Sequence, residues 1–258
     1  MIEPVRSLEL EGHNEEQVAL MEERLILLDR DDNPIGKESK KTCHLMVNIQ
    51  PPLSLLHRAF SVFLFRPSDG KLLLQKRASE KITFPSLWTN TCCSHPLAIE
   101  SEMETSEEIG ERLCFASNLN ASSLDSGVRR AAQRKLNHEL GIKAKQVPLS
   151  NFTYLTRIHY LAPSDGIWGE HEIDYILFIT ADVDLNVNLN ECSDVTWVSP
   201  SELRAMIADP SNSFTPWFEL IVNKFLFSWW EELLKQSEGK SVDTKLLTNF
   251  QDGKIHRM

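Results

Sequence analysis

The chain has 258 residues, with 27 Lys and Arg against 37 Asp and Glu, a formal net charge of −10. A hydrophobic share of 41% with 25% charged residues suits a folded globular chain and excludes global disorder. No apolar run reaches the ~18 residues that a spanning helix needs, and the acid excess argues against a nucleic-acid surface and, at face value, against an anionic substrate.

In chain order, residues 15–22 read as a short acidic helix. Glu3, Glu9, Glu11, Glu15 and Glu16 argue against a leader peptide. A hairpin follows, from apolar residues 25–28 through the turn-rich Asp29, Asp31, Asp32, Asn33 and Pro34 to residues 35–37. Residues 40–56, with Pro51 and Pro52, read as an irregular loop. The clearest local signal is AFSVFLF (59–65), turning at RPSDG and returning through KLLLQKR (71–77), a second hairpin of buried strands. Residues 81–96 are too rich in Ser, Thr, Asn and Pro for a helix, and residues 98–126 read as an acidic surface insertion. GVRRAAQRKLNHELGI (127–142) is a helix, with Val128, Ala131, Ala132, Leu136 and Leu140 at helical spacing and Gly141 as its C-cap. Strands resume at 152–160, 171–180 and 194–199. Ser199-Pro200-Ser201-Glu202 is a capping box that opens a helix to about residue 207. A last helix spans 217–235 with Trp217, Ile221, Phe225 and Trp229 on one stripe, and the polar tail 237–258 reads as irregular. This order predicts an α/β (α+β) fold, a mixed sheet sandwiched between helices. One domain covers the whole chain, with its core at about 20–235.

Charge is segregated. Residues 37–81 carry nine Lys and Arg against three Asp and Glu, while residues 1–36 and 98–126 are strongly acidic. The five cysteines are odd in number, include the adjacent Cys92 and Cys93, and form no CxxC pair. A reducing compartment without disulfides or a thiolate zinc site is the natural reading.

Two groups of residues carry chemistry. Arg134-Lys135-Leu136-Asn137-His138-Glu139-Leu140-Gly141-Ile142 resembles the end of the Nudix box, whose glutamates hold divalent metals on a diphosphate, but Lys135 and His138 stand where two of those glutamates belong. One carboxylate cannot hold a hydrolytic metal cluster, so the string points to the fold rather than to hydrolysis. The plain alternative for it is an amphipathic helix with a glycine cap. Elsewhere, His44 in KKTCHL, His57 in LLHRAFS and His95 in NTCCSHP lie in or beside loops. Glu170 and Glu172 are two apart at the start of an extended segment, so they share a face. Each histidine alone is more often an ordinary surface or core residue; three imidazoles and two carboxylates together would suit a divalent transition metal. His171 would face the other side of its strand.

HRAFSVFLF, ITFP, TNTCCSHP, VRRAAQR, LTRIHY, SDGIWGEHEIDYIL and TPWF resemble, in order and over about residues 20–235, the type I isopentenyl-diphosphate isomerases of the Nudix-fold superfamily, in their eukaryotic type. The resemblance implies interconversion of isopentenyl and dimethylallyl diphosphate in isoprenoid and sterol biosynthesis. It implies that His44, His57, His95, Glu170 and Glu172 hold a divalent metal (Mn²⁺, Zn²⁺ or Mg²⁺). Glu139 would hold Mg²⁺ against the diphosphate. Cys93 and Glu172 would be the catalytic pair, assisted by Tyr160, with Cys93 chosen over Cys92 on the family spacing Cys-x-His. Lys40, Arg77, Lys81 and Arg130, helped by Ser94, would grip the diphosphate, and Trp217 would cover the hydrocarbon. For Trp217 the plain alternative is core packing, and for the cations it is solvated surface. The competing functions are a Nudix-type diphosphate hydrolase and a non-enzymatic binding module. The expected partner is a small prenyl diphosphate, with no nucleic acid and no membrane span, bound by a monomer. The final His256-Arg257-Met258 resembles a weak peroxisomal address, so cytoplasmic or peroxisomal placement is expected.

Overall fold

The computed structural model describes residues 8–103, 127–237 and 240–258. Most of the expected insertion at 98–126 therefore lies outside the described residues. Among the described residues, ten strands form one connected mixed sheet. A short helix α1 (Glu15–Leu20) precedes the hairpin β1 (Arg24–Leu28) and β2 (Pro34–Ser39), which turns where the Asp29 carboxylate accepts the Asp31 and Asn33 N–H groups.

Residues 40–56 are not wholly irregular as expected. They contain α2 (Lys40–His44) and α3 (Met46–Ile49). Ser39 caps α2 by accepting the Thr42 N–H, and Leu45 ends it by turning extended. Helices of five and four residues are too short to show a period.

The strongest sequence signal, β3 (Leu56–Phe65) followed by β4 (Leu72–Arg77), forms both strands but little of the expected hairpin. They share only the pair Phe65 with Leu72. The chain at 89–94 intrudes between them. The Thr91 hydroxyl accepts the Leu64 N–H and donates to the Leu73 carbonyl, and the Asn90 amide donates to the Val62 carbonyl. The first short strand of that segment, β5 (Trp88–Thr89), pairs with β4, and the second, β6 (Cys92–Ser94), pairs antiparallel with β3. Displaced from β3, β4 takes β9 (Cys192–Val198) as its long partner.

On its other edge β3 runs parallel to β8 (Gly169–Thr180), from His57 opposite Glu172 to Phe65 opposite Thr180. β8 pairs antiparallel with β7 (Thr153–Pro163). β3 is buried on both faces, so its run is apolar rather than alternating. Phe60, Val62 and Leu64 pack on one side with Val128, Ala131, Ala132 and Leu136 of α4 (Gly127–Leu140). Phe63 and Phe65 pack on the other side with the C-terminal helices. The helix–sheet–helix sandwich is as expected.

α4 begins where only glycine fits, since a Cβ on Gly127 would lie 2.6 Å from the Glu102 Cα. It ends at Gly141, whose φ of +68° suits the expected C-cap. The Ser199–Glu202 capping box opens α5 (Pro200–Ala208). The long final helix is three pieces: α6 (Pro216–Ile221), a π turn (Val222–Leu226) and α7 (Phe227–Ser237). The π turn adds a residue per turn and shifts the buried stripe. Phe225 is thus half-buried, while Leu226 and Trp230 are fully buried. The tail is also more ordered than expected. Thr244–Phe250 forms a 3-10 helix, and β10 (Ile255–Arg257) adds parallel to β7.

Candidate active site

Three short segments converge on the N-terminal ends of β3 and β8. α2 ends on His44, β3 brings in His57, and the chain leaving β6 brings His95. β8 supplies Glu170 and Glu172 on one face, and His171 points away, its Nδ1 on the Leu55 carbonyl and its Nε2 on His159. The three imidazole centroids lie 4.8, 5.0 and 4.9 Å apart. Nε2 of His44 is 2.7 Å from Glu170 Oε2; Nε2 of His57 and of His95 are 3.2 and 2.7 Å from Glu172 Oε1. One ligand atom from each of the five residues lies within 4.8 Å of all the others, and all five residues are buried.

This donor set fits a metal ion. His44 Nε2, both His57 ring nitrogens and Glu170 Oε2 are buried without a properly aligned hydrogen bond. Such atoms are costly unless something else satisfies them. His44 Nδ1 sits 2.7 Å from the Lys40 carbonyl, which fixes the proton there and turns the Nε2 lone pair inward. Burial would raise Glu170, but His44 outweighs it and holds the carboxylate well below its usual range. Burial opposes a charged His57, but the neighbouring Glu170 and Glu172 carboxylates carry the imidazole up to about 9. A divalent cation would displace that proton.

His95, Glu170 and Glu172 of the cluster form one wall of a cleft, with His44 and His57 buried behind them. Cys93 lines this cleft, whereas Cys92 is fully buried in the core on the α4 side of the sheet. The alternation of β6 separates the two adjacent cysteines. Burial pushes the Cys93 thiol up to about 12, against the pull of the Arg77 guanidinium 3.8 Å away. Across the cleft, the Tyr160 hydroxyl donates to Glu172 Oε2 at 2.5 Å. Burial and the neighbouring Glu170 raise Glu172, and burial with Glu172 raises Tyr160 well above the phenol range.

Trp217 also lines the cleft; its indole N–H donates to Asn90 Oδ1 at 3.2 Å, its ring meets the edge of Phe84, and the Arg77 guanidinium lies 5.6 Å from its centroid. Lys40, Arg77, Lys81, Ser94 and Glu139 line the same cleft. Burial, then Lys81 and Lys135, lower Lys40 to about 8. Glu139 accepts from the Gln75 amide at 2.9 Å.

Arg130 is placed elsewhere. Its guanidinium bonds the Ser101 carbonyl, and it is not among the cleft-lining residues. Lys135 lines the cleft in its stead, 3.3 Å from Glu139 one helical turn on. The sequence reading counted Lys135 only as a lost metal ligand; its i,i+4 spacing to Glu139 was the available signal. Asn90 was also missed. It sits on no periodic face, and only the fold brings it to Trp217.

The mixed sheet between helices is the Nudix type of fold, and the NUDIX domain family model matches residues 124–218. More specific relatives cover nearly the whole chain. The isopentenyl-diphosphate delta-isomerase of Phaffia rhodozyma is 58% identical over 97% of this chain and 94% of its own length. That of Schizosaccharomyces pombe is 50% identical over 96% of each, and isopentenyl-diphosphate Delta-isomerase 1 of Bos taurus is 48% identical over 95% and 96%. The chain belongs to the isopentenyl-diphosphate delta-isomerase family.

Proposed function

We propose that this chain interconverts isopentenyl and dimethylallyl diphosphate, using Cys93 and the Glu172–Tyr160 pair as its two proton-transfer groups. The observation that carries this reading is the placement of a thiol and a phenol-bonded carboxyl in one cleft, beside an indole and four cationic side chains.

The isomerisation adds a proton at C4 and removes one from C2, or the reverse, through a species with tertiary-cation character. Glu172, raised by burial and Glu170, and hydrogen-bonded by Tyr160, is suited to hold a proton for an unactivated alkene. Cys93 serves the other end of the allylic system: burial favours its thiol, and the Arg77 guanidinium favours the thiolate form, which becomes the thiol on taking the C2 proton. The Trp217 π face steadies the cation, worth about 2 kcal/mol in a desolvated site. Lys40, Arg77, Lys81 and Lys135, with Ser94, anchor the diphosphate away from the reacting carbons. His44, His57, His95, Glu170 and Glu172 hold a divalent cation (Mn²⁺, Zn²⁺ or Mg²⁺), which when bound supplies positive charge beside Glu172. Glu139 is assigned to Mg²⁺ at the diphosphate.

Hydrolysis is disfavoured by chemistry: Lys135 puts an ammonium, not a carboxylate, on the helix face beside Glu139. Incubation with isopentenyl diphosphate and Mg²⁺ separates the readings. Acid-labile allylic product supports the isomerase, released phosphate a hydrolase, and unchanged substrate a binding module. Cys93→Ser is expected to abolish turnover and Cys92→Ser to preserve it; the opposite pattern overturns the assignment. Peroxisomal placement through residues 256–258 remains part of the proposal. In the folded chain Arg257 bonds the His159 ring and the Arg30 carbonyl, so a receptor would have to peel β10 from the sheet edge.

A further inference from the structure

Glu191 presents a puzzle that the isomerisation reading does not absorb. It is a carboxylate, 2% exposed, set directly behind the cations of an anion-binding cleft that it does not itself line. Its Oε2 accepts from Lys81 Nζ at 2.7 Å and lies 3.8 Å from Lys135 Nζ. Its Oε1 accepts from the Gln17 amide of α1 at 2.8 Å. Gln17 is itself buried and is pinned by the Asn190 carbonyl and side chain at 3.1 and 2.7 Å. The Glu191 carbonyl further accepts the Ala78 N–H, tying it to the loop that carries Lys81.

A negative charge here weakens the long-range pull on a diphosphate. Its compensating effect is local. Lys81 and Lys135 lie close enough to Lys40 to add to the lowering that burial imposes on its ammonium. A long ammonium side chain has many rotamers, and two ammoniums repel. A fixed carboxylate between Lys81 and Lys135 accepts one donor of Lys81 and attracts the Lys135 ammonium at 3.8 Å, leaving their outward side toward the cleft, where both are lining residues. Resting on the isomerase reading, we propose that Glu191, braced by Gln17, is the positioning residue that aims Lys81 and Lys135 at the substrate's diphosphate. The N-terminal helix thereby becomes part of the anion site without touching it.

The test distinguishes aiming from mere charge offset by sign. Glu191→Gln removes the charge and keeps the shape. If Glu191 aims the lysines, KM for isopentenyl diphosphate rises about tenfold or more while kcat stays within about twofold. Glu191→Asp recovers much of the loss. If the carboxylate only offsets charge, its removal leaves KM unchanged or lowers it, and the proposal is overturned. Gln17→Ala, a milder change on α1, should raise KM about threefold with kcat intact; an unchanged KM refutes the bracing role even where Glu191→Gln folds poorly. Calorimetric titration with inorganic pyrophosphate must show the same weakening without turnover. Wild-type protein that binds pyrophosphate but yields no allylic product would sink the isomerase reading and leave this one standing.

Discussion

Tyr160→Phe removes one hydroxyl from the cleft and leaves the ring. In the structure that hydroxyl donates to Glu172 Oε2 at 2.5 Å, while Glu172 Oε1 faces His57 and His95. Tyr160 is opposite Glu172 in the β7–β8 register, so the bond is set by the sheet and not by a mobile loop. Burial and Glu172 keep the phenol protonated, so it acts as a donor at any working pH. A hydrogen bond to a charged group contributes about 1.5–3 kcal/mol. If that interaction is made fully in the transition state, kcat falls roughly 10- to 150-fold. KM should move less than about threefold, because the hydroxyl bonds Glu172 and not the lysines proposed to hold the diphosphate. The assay is conversion of radiolabelled isopentenyl diphosphate to acid-labile product, with thermal melting to check that the fold is intact. A kcat loss under about threefold in a variant that melts normally would refute the argument that Tyr160 governs Glu172.

Trp217→Leu keeps an apolar wall but removes the π face, and should lower kcat about 30-fold for ~2 kcal/mol of lost cation stabilisation, read by the same assay. Lys40 is lowered to about 8, chiefly by burial, so its ammonium is present below that pH and lost above it; KM for the diphosphate should climb as pH passes about 8, and Lys40→Met should raise KM at pH 7 and remove that break. Stripping divalent ions with a chelator should abolish turnover and lower the melting temperature, by about 2.7 kcal/mol of stability for a metal held at 100-fold its Kd; unchanged melting would argue against a resident ion in the histidine cluster. Asp32, fully buried, receives Arg58 at 2.8 Å and Arg157 at 2.7 Å and also binds the Tyr175 hydroxyl. Asp32→Ala should cost about 3–5 kcal/mol and roughly 6–20 °C in melting temperature by calorimetry, with Asp32→Asn, which tolerates the φ of +70°, costing less.

Much of the frame was legible because local chemistry dictates it. The Asp29 turn, the Gly141 cap and the Ser199–Glu202 box each satisfy specific backbone groups, and each appears as read. The five candidate metal ligands were legible as residue types, and the family likeness supported grouping them; their convergence was not local, since they come from α2, β3, β8 and the chain after β6, with 128 positions separating His44 from Glu172 by their numbers. What escaped was nonlocal or sub-periodic. Nothing within AFSVFLF or KLLLQKR announces that Thr91 will part them. The tail looked irregular because three residues of strand carry no period, and β10 is held by an edge that β7 offers. Arg130 and Lys135 share a helix and a charge, and only the helix's rotation against β6 decides which one meets the cleft.

The acid excess of the chain takes on a different meaning at this scale. A net charge of −10 describes the field felt at a distance. A diphosphate in the cleft instead meets side chains within a few ångströms, where low dielectric makes neighbours dominate. There Lys40, Arg77, Lys81 and Lys135 line the wall, against Glu139 on the same surface and Glu191 behind it. Glu170 and Glu172 face the histidine cluster, where a bound cation would offset them. The acids of the turn are likewise committed locally, Asp32 to two guanidiniums and Asp29 to backbone N–H groups. An acidic protein can therefore hold a polyanionic small molecule while repelling a polyanionic surface. Glu191 carries the same logic one step further, since a carboxylate placed behind two ammoniums strengthens the site by fixing their direction.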